Sequence, residues 1–392
     1  MRYLTTIVVY LCLVPAVTSA SADPVFDCSR RSLARAVEDA LGKNPVIAFT
    51  GVCAGPLVIR TDGVTLRGVG MAIIDGGGRD AVTVAGASRV SLRGLEVRNG
   101  LSGIVAVNGA HVALTDVDVH DNRVFGISLQ TGSSAVLTDV TTGRNGLHGL
   151  DLQTGSAATV SGTLTASENR VFGINVNGSS FTLSEAAVTA AGNALGIQIA
   201  TAANAFLNDA VSVINAVNNL STGLTVVSGA HLVSFGGTIN ASGNPVAGVS
   251  VNSKAGLDLD AGATLNSTGN GDGVLLQDDS VMTVFNTPRF SGANTFSTVN
   301  AQDNTGSGVR VLTGSTLTFV NQAQLIGRQN GRTGLVVDNG AGVTLVNSVV
   351  TGNSLNDIVL SFGARADFRT LEVGTLVCDS TVLVRGAASC PD

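Results

Sequence analysis

The sequence has no tryptophan and only two tyrosines, Tyr3 and Tyr10. Lysine is as scarce, present only as Lys43 and Lys254. Charged residues make up 13% of the chain, about half the usual share. Without Trp or Tyr beyond the extreme N-terminus, the usual aromatic platforms for stacking on sugars are missing. A net charge of −6 offers no basic stripe and argues against nucleic acid as a partner. No apolar stretch after the N-terminal one is long enough to span a bilayer. H-E-x-x-H, C-x-x-C, G-x-S-x-G and Walker motifs are absent. Asp75-Gly76-Gly77-Gly78 reads as a turn, because no phosphate-binding helix follows it.

The chain opens with Arg2, an apolar run from Ile7 to Val17, and Ala20-Ser21-Ala22. This is the pattern of a secretory signal peptide over residues 1–22, cleaved after Ala22. It predicts a secreted, periplasmic or cell-surface protein. Cys12 leaves with the signal, so four cysteines remain in an oxidising compartment. Four cysteines allow three pairings. Proximity favours Cys28–Cys53 and Cys378–Cys390, with buried free thiols as the alternative.

What the sequence has in abundance is a repeat. Gly103-Ile104, Gly126-Ile127, Gly149-Leu150, Gly173-Ile174 and Gly196-Ile197 recur at steps of 23, 23, 24 and 23 residues. An asparagine precedes each: Asn99, Asn122, Asn145, Asn169 and Asn193. The series continues through Asn219, Asn244, Asn270, Asn304, Asn330 and Asn353. A period in this range implies a solenoid whose coils bury apolar faces only against their neighbours. Within the coil that starts at Gly126, Ile127 and Leu129 alternate with Ser128 and Gln130, the period of a half-buried strand. Three short strands per coil with no helix between them predict a parallel β-helix. Low charge follows, since a charged column stacked at ~4.8 Å would repel itself.

Two interior columns support the coil. A large aliphatic stands five residues before the asparagine (Val117, Val140, Leu164, Val188), and a smaller residue three before it (Thr142, Ala166, Ala190). The asparagines are expected to face inward at a bend and to bond to one another as a stacked amide ladder. Leu33, Val37 and Leu41, with Gly42 after them, read as an amphipathic helix over 30–41 with a glycine stop. A β-helix has open ends that need covers. Residues 23–45 are therefore read as an N-terminal capping helix, 46–374 as the β-helix and 375–392 as a C-terminal closure.

The stretch from Val46 to Cys53, then Leu57-Val58-Ile59, Val64-Thr65-Leu66-Arg67-Gly68 and Ile73-Ile74-Asp75-Gly76, resembles the first coils of pectin-lyase-like right-handed β-helix proteins. The later Gly-Ile units resemble the parallel β-helix repeats of the same superfamily. The resemblance implies an all-β, right-handed parallel solenoid. That superfamily holds polysaccharide lyases, glycoside hydrolases, epimerases and non-enzymatic surface proteins. Its polygalacturonases carry paired aspartates where this chain has Val124-Phe125. Their His-Gly-Ile is matched by His148-Gly149-Leu150, so only His148 carries over. The Asp-Pro-His-Asp run of its alginate epimerases is replaced by Ser128-Leu129-Gln130-Thr131.

One ionic patch remains as a candidate site. Asp116, Asp118, His120, Asp121 and Arg123 fall in one coil, Asp139, Arg144, His148 and Asp151 in the next, and Glu168 and Arg170 one further on. His148 is the candidate proton shuttle, with Asp151 read as facing the same side of its strand. Asp116 and Asp139 share a column, which brings their carboxylates to roughly 5 Å. That spacing suits a retaining glycosidase or Ca²⁺, though two aspartates capping turn amides would look the same. No other metal is expected. Ser128, Asp151, Asn175, Gln198, Thr225 and Ser250 form one outward polar column, and Gln130, Gln153, Asn177 and Asn252 a second. Together with Arg123, Arg144, Arg170, Asp118 and His120, the glutamines are candidate ligand-binding residues. A third outward column of Thr163/Thr165, Thr238/Asn240, Thr264/Asn266 and Thr298/Asn300 is of the kind that orders water. The step from Gly273 to Gly308 grows to 35 residues, and Asp278, Asp279, Pro288, Arg289, Phe290 and Phe296 make that loop a further candidate.

The functional expectation is an exported β-helix that contacts polysaccharide without assigned catalysis. The alternative is a lyase or glycoside hydrolase acting on uronate-containing glycans.

Overall fold

The computed structural model describes residues 25–40, 45–287 and 296–390. The expected signal peptide, Cys12, Lys43, Pro288, Arg289 and Phe290 lie outside the described residues. The described residues are almost entirely β. Strand pairings run parallel from coil to coil and build a 23-stranded and a 14-stranded sheet. The 14-stranded sheet contains the Gly-Ile strands, one per coil, including Phe125–Leu129, His148–Gln153 and Phe172–Asn177.

The interior is a stack of aliphatic columns. The large column of Val117, Val140, Leu164 and Val188 and the small column of Thr142, Ala166 and Ala190 are buried as expected. Each fully buried Val, Leu or Ile contributes about 1.5–3 kcal/mol. No coil has a core of its own, so this energy exists only in the stack.

The three expected strands per coil are not always separate. In Val90–Arg98, His111–His120, Ser134–Gly143, Ala157–Ser167 and Ser180–Ala191, two of them run on as one bent strand. The bend is made by a left-handed residue: Gly94 (φ 62°), Asp116 (54°), Asp139 (54°), Gly162 (92°) and Glu185 (51°). Aspartate tolerates this region better than most side chains, which accounts for Asp116 and Asp139 without any chemistry.

The asparagine ladder runs from Asn122 to Asn353, with each member from Asn122 to Asn330 buried. Its lower end is closed by Asp357, whose Oδ1 accepts from Asn353 Nδ2 at 2.9 Å. Asn99 does not belong to it. That residue is exposed, has φ 54° and donates from Nδ2 to Asp75 at 2.7 Å. Left-handed residues directly precede the ladder in the following coils: Asp121, Arg144, Glu168 and Gly192. Asn99 is their equivalent, and Gly100 takes the ladder position, its N–H donating to Asn122 Oδ1 at 2.8 Å.

The N-terminal helix is shorter than the expected 30–41. It spans Leu33–Glu38, capped by Ser32, with Leu33 and Val37 buried. A strand at Phe26–Asp27 precedes it and pairs with Phe49 and Thr50, so residues 23–45 are not purely helical. At the other end, Leu376–Cys378 and Leu383–Gly386 pair in parallel with the preceding coil. The stretch read as a closure is therefore one more coil. Disulfides join Cys28 to Cys53 and Cys378 to Cys390, the pairing that proximity favours.

Candidate functional site

His148 and Asp151 lie on one strand, three residues apart, a spacing that places side chains on opposite faces of a regular strand. The strand is not regular at Gly149. The register is the same on either side of it, His148 pairing with Phe125 and Phe172 and Leu150 with Ile127 and Ile174, but Gly149 and the fully buried Leu150 both face the interior. A Cβ on Gly149 would point at Asn169 Nδ2 (2.7 Å) and the Gly173 carbonyl (2.6 Å), both of the ladder side. This break turns His148 and Asp151 to the same outward side.

His148 is held between Phe125 and Phe172, with ring centroids at 5.4 and 4.9 Å. The Phe172 backbone N–H donates to its Nδ1 at 3.4 Å, which leaves the ring proton on Nε2 in the neutral form. Burial lowers the His148 pKa, against a smaller upward pull from Asp151. Asp151 is wholly buried. Its Oδ1 accepts from Asn175 Nδ2 at 2.8 Å and its Oδ2 from Gln153 Nε2 at 2.6 Å. Burial raises its pKa despite these bonds and the nearby His148. The pair is thus pressed towards neutrality from both sides.

The outward polar column around Asp151 is largely closed to solvent. Ser128 and Asp151 are fully buried, and Asn175 and Ser250 are nearly so. The aromatic and aliphatic residues Phe125, Phe172 and Leu195 flank it on one side. The amides flank it on the other, Gln130 donating to Ser128 Oγ at 2.9 Å and Gln153 to Asp151. Both glutamines are thereby bonded to the residue two positions before them.

Asp116 and Asp139 stand elsewhere, at the corner of the larger sheet. With Glu96 and Asp118 they line a shallow depression of about 260 Å³ that neither His148 nor Asp151 reaches. Asp139 Oδ1 accepts from the Thr163 backbone N–H at 3.1 Å and from its hydroxyl at 2.9 Å, the turn-capping role. Burial pushes the Asp118 carboxyl up. Among the described residues, no three His, Cys, Asp or Glu side chains are grouped to hold a metal ion.

The other candidates form a surface ion chain along the left-handed corner. His120 Nδ1 lies 2.6 Å from Asp121 Oδ2, and its Nε2 lies 3.2 Å from Glu96. Arg144 grips Asp121 with two bonds of 3.0 and 3.1 Å, lowering the Asp121 pKa. Arg123 lies against the Gly78 turn. Arg170 is exposed. The third outward column carries a second amide ladder: Asn240 donates to Asn215, Asn266 to Asn240, and Asn300 to Asn266, at 2.8, 2.8 and 2.7 Å. In the long loop, Asp278 and Asp279 are exposed left-handed turn residues, and Phe296 is 42% exposed.

Two places went unnoticed in the sequence. His231 Nε2 meets Asp258 Oδ2 at 3.0 Å on the larger sheet, beside Lys254 in a depression of about 370 Å³. Asp272, Arg310 and Arg332 line another of about 490 Å³. Their signal was a matter of register: 27 positions separate His231 from Asp258 and 38 separate Asp272 from Arg310, and only aligned coils bring them together.

A family model described as the right handed beta helix region matches residues 58–215. The chain is a parallel β-solenoid, and residues 58–215 match the right-handed form. That is the fold its resemblance to pectin-lyase-like proteins implies. No curated protein matches the sequence. Similar solved structures include the A-module of the Azotobacter vinelandii mannuronan C-5 epimerase AlgE4, at 16% identity over 91% of this chain and 93% of that one, TM-score 0.42. An alginate lyase from Paenibacillus sp. str. FPU-7 is 13% identical over 91% and 97%, TM-score 0.34. PfbA, a surface adhesin of Streptococcus pneumoniae, is 10% identical over 92% and 93%, TM-score 0.24. Likenesses this distant carry no chemistry over to this chain.

Proposed function

We propose that this β-helix acts outside the cytoplasm, holding polysaccharide on its outward surface without turning it over. The observation that carries the reading is the state of the most favourable acid–base pair. Asp151 has both carboxylate oxygens occupied and His148 is clamped between two phenylalanines, so both groups serve the packing of the sheet. Export is read from residues 1–22 and is compatible with the two disulfides. In this reading the helix Leu33–Glu38 covers the first coil, with Leu33 and Val37 closing the open end.

A second reading, a lyase or glycoside hydrolase acting on uronate glycans, is favoured by the break at Gly149 that turns His148 and Asp151 to one side. In that reading Asp116 and Asp139 act separately from them, with or without Ca²⁺, and Arg123, Arg144, Arg170, Asp118 and His120 form the polar rim.

The test is to incubate the mature protein with pectate, polygalacturonate and alginate, with and without Ca²⁺. We expect retention on a polysaccharide column and no unsaturated product or new reducing ends. Turnover that disappears in His148→Ala would replace the first reading with the second.

A further inference from the structure

The turn that leads into the Gly-Ile strands carries a partly exposed aliphatic ridge along the solenoid. It begins with Leu101, Val124, Leu147 and Val171, each linked to the next by a backbone hydrogen bond of 2.8 Å. Further along, Val246 and Leu355 stand 55% and 65% exposed in the same turn. Between those two the ridge is interrupted. Gly271, Gly306 and Arg332 occupy its positions, the N–H of Gly306 bonding to the Gly271 carbonyl at 2.6 Å and that of Arg332 to the Gly306 carbonyl at 2.9 Å. A Cβ on either glycine would collide with backbone, on Gly271 with the Pro245 carbonyl and on Gly306 with that of Gly271. The notch is therefore built into the backbone.

The notch forms the depression of about 490 Å³. Arg310 rises from its floor, 39% exposed and anchored to Asp272 Oδ2 at 3.0 Å. Asp272 is itself fixed, its Oδ1 accepting from the Ser307 backbone N–H at 2.8 Å. One guanidinium nitrogen of Arg310 is thus used and the others are free to donate. Arg332 stands at the rim, exposed, and among the described residues its side chain has no partner. Two arginines against one aspartate leave an excess of positive charge here, on a chain whose net charge is −6. Thr305 and the buried Thr333 complete the lining, the Thr305 hydroxyl donating to the Asn270 carbonyl at 3.0 Å.

We propose that this notch binds a ligand carrying an oxyanion beside hydroxyl groups, with Arg310 and Arg332 as the anion's partners. An anchored guanidinium and a free one present forked donors that match a carboxylate, sulfate or phosphate. The Thr305 oxygen, its proton given to Asn270, remains an acceptor for a hydroxyl on the ligand, and the flanking Val246 and Leu355 suit its C–H faces. The site is separate from His148 and does not depend on whether the protein has any turnover.

The test is calorimetric titration of the full mature chain with three probes: trigalacturonate, a neutral glucose trimer and inorganic phosphate. We expect saturable binding of trigalacturonate, weakened by added salt and competed by phosphate. Arg332→Gln and Arg310→Gln should each weaken it about tenfold or more at an unchanged melting temperature. Phosphate binding that is lost in Arg332→Gln, with no trigalacturonate binding, would support the anion site and assign its ligand to phosphates. Equal binding of the neutral trimer, unaltered binding in both variants, or no oxyanion binding at all would overturn the proposal. The first of these would leave the polysaccharide reading standing, so the two fail separately.

Discussion

Asn122 donates both its backbone N–H and its side-chain Nδ2 to a single oxygen, Asn145 Oδ1, at 3.1 and 3.0 Å. Asn145 repeats this with Asn169 at 3.1 and 2.9 Å. Each asparagine is thus donor to the coil after it and acceptor from the coil before it. The repeat's glycine follows from the same contact: a Cβ on Gly126, Gly149 or Gly173 would lie 2.7 Å from the Nδ2 of the next ladder member. Glycine and asparagine recur together because one makes room for the other.

Asn145→Leu should therefore cost about 2–4 kcal/mol, since it orphans buried donors and acceptors in two neighbouring coils. Gly149→Ala should cost about 1–3 kcal/mol through overpacking against Asn169. Asn99→Gly should stay within about 0.5 kcal/mol, because the site is exposed and left-handed. Thermal melts of the three variants decide it; an Asn99 variant as damaged as Asn145→Leu would contradict the assigned ladder.

The disulfides hold the ends. Their loops span 25 and 12 residues, so each contributes about 3 kcal/mol in the chain-entropy account. On reduction, hydrogen exchange should accelerate first in Leu57–Ile59 and Leu376–Cys378 and last near the ladder's middle, around Asn193. Simultaneous loss of protection throughout would mean that the solenoid unfolds as one unit regardless of its ends.

How far the sequence could be read follows from this geometry. The ladder and the aliphatic columns were legible because each coil repeats its neighbours at fixed spacing. The phase at Asn99 was missed because a left-handed corner and a ladder position both accept asparagine. The outward face was misjudged because alternation places Asp151 on it but says nothing of the Gln153 and Asn175 amides that close over its carboxylate, or of Phe125 and Phe172, which enclose His148 from adjacent coils. Asp116 and Asp139 looked like a catalytic pair because a corner residue with positive φ favours the same side chain. The notch at Gly271 and Gly306 gave no signal, since a missing ridge is visible only beside the ridge.

His231 offers a test of the electrostatics. Its bond to Asp258 is the largest cause of its raised pKa. A raised histidine pKa stabilises the fold fully below the unfolded value of about 6.5, and that stabilisation fades as pH climbs through the higher folded value. His231→Gln should therefore melt below the wild type at about pH 5.5, and the gap should narrow on the alkaline side. The effect will be small, because the side chain is 42% exposed. A gap that widens with pH would contradict the assignment.

His148 should behave in the opposite sense. Burial depresses its pKa, so the folded state holds fewer protons than the unfolded one between the depressed value and about 6.5. Stability rises with pH across that window and is lost as pH falls through it. Asp151 acts differently, its raised pKa making stability fall as pH rises from about 3.8 towards the folded value. The two trends meet on the acid side, and replacing His148 separates them. His148→Phe keeps an aromatic ring between Phe125 and Phe172 and gives up the ring's polar contacts, the 3.4 Å bond from the Phe172 N–H and the one with the Leu147 backbone. The variant should match the wild type near pH 7.5 and exceed it near pH 5, where the wild type must charge an enclosed imidazole. Melting curves at the two pH values make the comparison. A variant that is less stable at both would mean that His148 holds the sheet through a polar contact, and the aromatic column would not be its main support.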